Sequence, residues 1–533
     1  MSPPIFVGRL VEAGDEALHI RSWSDRCSSN HPDCQAPKHR DTVLPPLLID
    51  AGRDSASPPR LVLSKDADRG RGFIFCSFTT GKTTRGWKGW TNRVNLDQRL
   101  REIPWAEIPT TIQDAISLVQ RLEIHPKPYV FVDGICSPTD DMDAMKQYVD
   151  MVPQYISSAD YVFACINGDG MHNHCLPSPE PSMLALSLDA RLSTGGATFK
   201  LHIRQHLSTA DEVMSRQFFS RSWRAQEAIL SQKMIILSTD QVFWNCGRSL
   251  HSQAHATEDA PMLQTLPTTI SIVSKWPKLA SRDLKKAYLV DQWQEYVELI
   301  GSGALLFRED RLLTVAGVAA VIDKEMLNLG ISDRQHLSTP QGIRMDDFAR
   351  GLLWTTQPQV TNTADSTPPK TSPVNELAST WSWGHLGGYI SYDVASMASR
   401  DSEFGLLEIS DSIKTSAANP DITVSDPLPD ITGYTQTWEA PGPAGYTYLF
   451  DQLDDEKNWV AGQTPLVFLM VSRLAYTAAG NNYRWVGLML RPRSDANTDG
   501  NVHVRVGVFL GPDCGGSSDL GSVGWKKQVI TPA

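Results

Sequence analysis

Four segments follow one another in an order that restricts this chain more than any other feature: FIFCSF (Phe73–Phe78), YVFVDG (Tyr129–Gly134), ADYVFACI (Ala159–Ile166) and SRSWRAQEAIL (Ser220–Leu230). The first three are short runs rich in aromatic and β-branched residues, the signature of strands covered on both faces. Between the first two, a Pro109–Thr110–Thr111 start signal precedes Ile112, Ala115, Ile116, Val119 and Leu122, which repeat at helical spacing. After the second, Asp140 can cap a helix with Met145, Tyr148, Val149 and Val152 facing inward, and Pro153 should end or kink it. The fourth segment reads as a helix. Alternation of this kind predicts an α/β core, a parallel sheet with helices on both faces.

That helix carries the chemistry. Trp223 and Glu227 stand at i and i+4, so a carboxylate is presented beside a large apolar ring. Burial beside such a ring is one way a protein tunes an acid for catalysis, although the same pair also serves plain packing.

The 533-residue length exceeds one core and predicts several domains. Residues 1–70 read as an N-terminal extension packed on the core, 71–250 as the α/β domain, and 251–354 as a helical region. The segment Thr355–Asn375 is rich in Thr, Pro and Asn and reads as a linker. Residues 376–533 read as a β-rich domain, with strands at Pro465–Val471, Trp485–Leu490 and Asn501–Leu510.

No run of about 18 apolar residues is present, so no membrane span is expected. The opening residues lack the basic-then-apolar layout of a secretory signal, and eight scattered Cys suit buried thiols in a reducing compartment. A cytoplasmic protein is expected. A net charge of −11 argues against nucleic acid as a partner. One stretch runs against that charge: Arg69, Arg71, Lys82, Arg85, Lys88, Arg93, Arg99 and Arg101 are opposed only by Asp97. It is either a solvated loop or a site for an anion such as a pyrophosphate.

Several familiar chemistries are excluded. TGKTT (Thr80–Thr84) lacks the first glycine of a phosphate loop, whose place is taken by Cys76 inside a strand. No G-x-S-x-G, H-E-x-x-H or paired C-x-x-C pattern occurs. Cys27, His31, Cys34 and His39 form a C-x3-H-x2-C-x4-H run chemically able to hold zinc, but the spacing follows no common finger, and the sequence alone assigns no metal. His172, His174 and Cys175 lie in a polar loop and could supply ligands, although the histidines read rather as surface residues.

At these positions the chain resembles the heterokaryon-incompatibility (HET) domain family of filamentous fungi. FCSFTTG (Phe75–Gly81) is similar to the family's opening motif, with Ser77, Phe78 and Gly81 matching and Thr80 in place of its Trp. YVFVDGICSPTDD (Tyr129–Asp141) resembles the second motif through Tyr129, Asp133, Cys136, Asp140 and Asp141, and RSWRAQE resembles the third through Arg221, Trp223, Gln226 and Glu227. The upstream Cys27–Cys34 stretch and the W-S-W in TWSWGHLGGYISY (Thr380–Tyr392) are similar to features of the family's longer members.

HET cores in turn resemble TIR domains, which have a flavodoxin-like fold. Phe75–Phe78, Phe131–Asp133 and Trp223–Glu227 follow the TIR order of F-x-S-F, F-x-D and W-x-x-x-E. An insert of about 50 residues between Ile166 and Arg216 departs from the compact TIR plan. The resemblance implies a role in non-self recognition and programmed cell death, with Glu227 as the catalytic residue of NAD hydrolysis. Ser77, Phe78, Gly81, Lys82, Asp133, Arg221 and Trp223 would line the substrate site. NAD or a related nucleotide is then a substrate, and no cofactor is called for. Partners implied are further copies of the chain and a protein trigger that the sequence does not identify. The competing reading is a non-enzymatic, self-associating signalling module, in which Trp223 and Glu227 are core and interface residues.

Overall fold

The computed structural model describes residues 11, 14–34, 43–52, 57–81, 87, 89–122, 124, 126–137, 140, 142–167, 170–177, 186–191, 198–203, 207–209, 212–213, 218–254, 281–301, 303, 305, 308–331, 340–357, 378–386, 389–396, 406–409, 428–444, 446–462, 465–475, 483–493, 502–514 and 525–533. It forms two compact units. The first comprises Met1–Ser220 and Glu227–Lys275, the second Arg221–Gln226 and Trp276–Ala533.

The first unit is organised by β3 (Phe73–Phe78), whose six residues are all buried. Only a strand covered on both faces tolerates such a run. Parallel neighbours flank it: β4 (Tyr129–Val132), with Ile74 opposite Val130, and β5 (Tyr161–Cys165), with Ser77 opposite Ala164. β8 (Met234–Leu237) continues the parallel set beyond β5. Antiparallel strands extend both edges, giving eight in the order β10-β9-β8-β5-β3-β4-β1-β2. β1 (Leu47–Asp50) and β2 (Arg60–Leu63) lie on one side, β9 (Val242–Asn245) and β10 (Leu250–Ser252) on the other. The expected parallel sheet is thus the middle of a mixed one, and the N-terminal extension supplies two of its strands rather than only covering it.

Numbering helices of eight residues or more, α1 is Glu16–Asn30, α2 Thr110–Arg121 and α3 Met142–Ser158. The helical spacing read in α2 is borne out: Ile112, Ala115, Ile116, Val119 and Leu122 are all buried. Of the two outcomes expected at Pro153, an end or a kink, the end does not occur, because α3 runs through it to Ser158. The apolar face continues past the proline with buried Tyr155 and Ile156, and Tyr155 packs at 6.2 Å on the Phe131 ring of β4. That packing outweighs the backbone hydrogen bond lost at proline. The insert after β5 contributes a hairpin of β6 (Leu186–Arg191) and β7 (Thr198–Ile203). Helix α4 (Ser222–Leu230) then leads to β8.

Sheet side chains alternate between faces. Phe75 stacks on Phe131 with centroids 5.1 Å apart, and Tyr148 and Tyr155 of α3 cover that face. On the other face Cys76 Sγ lies 3.9 Å from Cys165 Sγ, and Cys175 donates to the Thr111 carbonyl at the start of α2. Arg121 of α2 pairs at 2.8 Å with Glu16 of α1, which is only 1 % exposed.

The second unit opens with α5 (Arg282–Gly301) and α6 (Leu313–Asn328), as the sequence predicts for a helical middle. The first three residues of the expected linker, Thr355–Asn375, are strand. Thr355–Gln357 form β11, paired with β12 (Tyr389–Ser391), and 358–377 lie outside the described residues. Trp354, Trp381 and Trp383 are fully buried around this point.

The β-rich end is a sheet of seven strands, antiparallel except where β18 and β19 pair in parallel: β13 (Glu408–Ile409), β14 (Ile431–Trp438), β15 (Thr447–Phe450), β16 (Leu466–Ala475), β17 (Tyr483–Pro492), β18 (Val502–Cys514) and β19 (Lys526–Pro532). β19 pairs with both β14 and β18, so β14-β16-β17-β18-β19 form a closed circuit with few free edges. Helix α7 (Leu453–Val460) contributes Trp459 to a core with Phe468, Met470, Met489, Phe509 and Trp525. Among the described residues, no helix is long and apolar enough to cross a membrane.

Candidate functional site

The four parallel strands, taken in chain order β3, β4, β5 and β8, stand side by side as β4-β3-β5-β8. This is the 2-1-3-4 arrangement of doubly wound sheets, in which the order of strand addition reverses between β3 and β5. Ligands of such sheets bind outside the carboxyl ends of the strands at that reversal. The residues there are Ser77 and Phe78 from β3 and Cys165 and Ile166 from β5. The loops that follow approach closely: a Cβ placed on Gly170 would lie 3.6 Å from the Gly81 Cα and the Thr80 carbonyl. Gly81 turns the chain with φ +83, a left-handed conformation that favours glycine.

Into this corner α4 brings Glu227. Ser77 shares the Phe75 face of β3, and its hydroxyl donates to Glu227 Oε2. Both are secluded, Ser77 at 1 % and Glu227 at 5 % exposure. Such a carboxylate must be held by donors, and a serine hydroxyl fixed in a central strand is a rigid one. Trp223, one turn earlier on α4, is half-buried. Ser222 and Gln226 are fully buried on the same helix. Neither the Ser222 hydroxyl nor either polar atom of the Gln226 amide has a hydrogen-bond partner among the described residues. Among the described residues, these polar groups of α4 are left unfilled.

The other residues read from the sequence are placed differently. Phe78 is buried, but alternation turns its side chain to the face opposite Ser77. Asp133 is exposed at the end of β4 and accepts from Ser137 Oγ at 2.8 Å, within a turn where Gly134 donates to the same hydroxyl. This is turn capping, and no described contact joins Asp133 to Ser77 or Glu227. Arg221 is half-buried, and its carbonyl accepts from the Ala225 amide at 3.0 Å at the start of α4. Lys82 lies outside the described residues, as do Arg85 and Lys88.

Two cations of the basic stretch are committed to the fold. Arg71 donates twice to Asp50, at 2.9 and 3.2 Å, and lies 3.9 Å over the Tyr129 ring. Burial alone would raise the Asp50 carboxyl, but the Arg71 hydrogen bonds and charge, helped by the Gly52 amide, hold it below the usual range. Arg99 is buried between Thr91 Oγ1, at 3.1 Å, and Glu107, at 3.3 Å. Arg93 is exposed, with its amide bound to Asp140 at 3.0 Å.

In the polar loop His172 and His174 are exposed, and His174 meets Asp114 at 3.1 Å. The upstream Cys/His run is different. Cys27, His31 and Cys34 converge with Cys246, and their ligand atoms all lie within 4.8 Å of one another. Hydrogen bonds from Cys27 and Cys34 hold the Cys246 thiol far below its ordinary value, and Cys27 is pushed up to about 12, chiefly by its bond to Cys246. His39 lies outside the described residues. Cys246 is the donor that sequence reasoning missed. It stands 212 residues from Cys34, beyond the reach of any local spacing rule.

Compared with known families, residues 73–227 match the model described as Heterokaryon incompatibility protein (HET). The match begins at the first residue of β3 and ends at Glu227. No curated protein matches the chain. No solved structure matches it.

Proposed function

Because residues 73–227 are a HET domain, we propose that this chain acts in non-self recognition and programmed cell death by hydrolysing NAD to nicotinamide and ADP-ribose, with Glu227 as the catalytic residue. The observation that carries the reading is the Ser77–Glu227 pair at the carboxyl end of the central parallel strand. The TIR-like character of the core is part of the same reading. It draws support from the 2-1-3-4 strand order and from a Glu on the helix that leads into the fourth parallel strand.

Cleavage of the nicotinamide–ribose bond sends the bonding pair to the departing nicotinamide and leaves an oxocarbenium-like ribose, as in glycoside hydrolysis. Glu227 stabilises that developing positive charge and holds the ribose hydroxyls. Ser77 fixes the carboxylate in position. Water adds to the anomeric carbon and loses its proton, which completes ADP-ribose. Gly81 keeps the adjoining loop low enough for a ligand to approach, and Trp223 offers an aromatic face one turn from the carboxylate. At 5 % exposure Glu227 is closed to a substrate, so turnover requires its surroundings to move. Activation on assembly is expected.

The same seclusion favours a second reading, in which Glu227 is a buried structural residue of a self-associating adaptor. Expression of wild type and Glu227→Gln in cells separates the two. The enzyme reading predicts NAD depletion that accompanies death and disappears in the variant. Death with NAD levels intact, equal in both proteins, would support the adaptor and rule out the enzyme.

A further inference from the structure

The four donors Cys27, His31, Cys34 and Cys246 belong to neither the strand ends nor α4, and they require their own account. Cys27 lies in the last turn of α1, and His31 is the extended residue that ends the helix. The His31 amide donates to the Cys27 carbonyl at 2.9 Å, and a 3-10 turn, Pro32–Cys34, brings Cys34 back with its amide 3.0 Å from the His31 carbonyl. The fourth donor comes from the turn between β9 and β10. Gly247 has φ +71, and the Cys246 amide bonds to the Ser249 carbonyl at 3.2 Å, which fixes the Cys246 side chain against the other three.

We propose that these four residues bind a structural zinc ion. Zinc–sulfur bonds of about 2.3 Å and zinc–nitrogen bonds of about 2.0 Å, set tetrahedrally, separate neighbouring ligand atoms by about 3.5–3.8 Å. The Cys246 Sγ to His31 Nδ1 distance is 3.5 Å, and all four ligand atoms lie within 4.8 Å of one another. Cys27, Cys34 and Cys246 are 2 %, 0 % and 0 % exposed, which leaves no open position for a substrate. Three thiolates and one imidazole suit zinc and leave no place for catalysis. Binding of one Zn2+ releases three thiol protons, so the site carries one net negative charge. Second-shell donors address that charge: Ser249 Oγ lies 3.4 Å from Cys246 Sγ, and the Arg248 amide also faces this sulfur.

A disulfide accounts for the cluster less well. It would engage two thiols and leave the third sulfur and the imidazole without a role. A metal uses all four.

The position has a consequence for the fold. Three ligands precede the matched segment 73–227 and the fourth follows it. One ion thus joins the N-terminal helix to the far edge of the sheet across 212 residues of chain. Closing so long a loop removes much of the freedom of the unfolded state.

The test is metal content of the full-length protein, purified without added zinc or chelator. One zinc per chain is expected in wild type and in His39→Ala, falling to near none in Cys246→Ser and Cys34→Ser. If Cys246→Ser misfolds, cobalt exchanged into wild type gives a second measurement. The visible bands of tetrahedral cobalt, with intense sulfur-to-metal charge transfer, are then expected. Folded wild type that lacks zinc and takes up no cobalt overturns the proposal. So does Cys246→Ser that retains its zinc, or His39→Ala that loses it. None of these outcomes depends on NAD hydrolysis.

Discussion

At the scale of single residues, the account rests on a carboxylate held by a serine. Ser77→Ala removes a donor from a secluded Glu227, and a loss of about 1–3 kcal/mol in stability is expected, measured by denaturant unfolding. Nicotinamide release should fall about 10–100-fold, because the carboxylate remains but is less well held. An unchanged rate would mean that Ser77 does not position Glu227.

A second residue-scale prediction concerns Asp50, whose carboxyl lies below its ordinary range because Arg71 outweighs burial. A depressed native pKa contributes stability above the unfolded value, about 3.9, that is lost as pH falls through the native value. Asp50→Asn is therefore expected to be less stable than wild type near neutrality, with the difference shrinking below about pH 4. A gap that is constant or grows in acid would contradict this.

Residue by residue, the sequence was legible where chemistry follows local spacing. Trp223 and Glu227 share a face because a helix repeats. Phe78 and Asp133 were assigned to the site from their place at strand ends, where their surroundings differ from those of Ser77. Alternation turns Phe78 to the other face, and Asp133 is taken up by the turn hydroxyl of Ser137. Cys246 lies too far along the chain for any spacing rule to find.

At the scale of elements, strand–helix alternation was readable because buried parallel strands leave long apolar runs and their crossover helices leave 3.6-residue repeats. The antiparallel edges were not, since β1, β2, β9 and β10 are only three or four residues long. The clearest departure is α3. A local rule ends or kinks the helix at Pro153, and tertiary packing of Tyr155 and Ile156 carries it on to Ser158. Pro153→Ala restores a backbone donor without touching that packing. It should stabilise the protein by about 1–3 kcal/mol, read as a higher unfolding temperature. A lower temperature would show that the proline is required where it stands. The strand Thr355–Gln357 teaches the same lesson, because three Thr- and Gln-rich residues look like linker until β12 pairs with them.

At the scale of the whole molecule, the chain builds two units with separate cores, and the helix bearing Glu227 is divided between them, Ser222–Gln226 grouping with the second and Glu227–Leu230 with the first. This division depends on the path of the chain in space, and no local pattern of the sequence announces it. The second unit has its own buried ion pair, Arg505 with Asp451 at 3.1 Å, and its own aromatic core. Glu227, the residue proposed to be catalytic, is only 5 % exposed in the single chain, so concentration of the full-length protein is the variable to change. The most direct measurement is nicotinamide release from NAD by purified wild type beside Glu227→Gln across a range of protein concentrations. The account predicts release by wild type that steepens with concentration, and a loss of at least about 100-fold in the variant with its fold intact. Equal rates from the two proteins, or no release from folded wild type at any concentration, would contradict it.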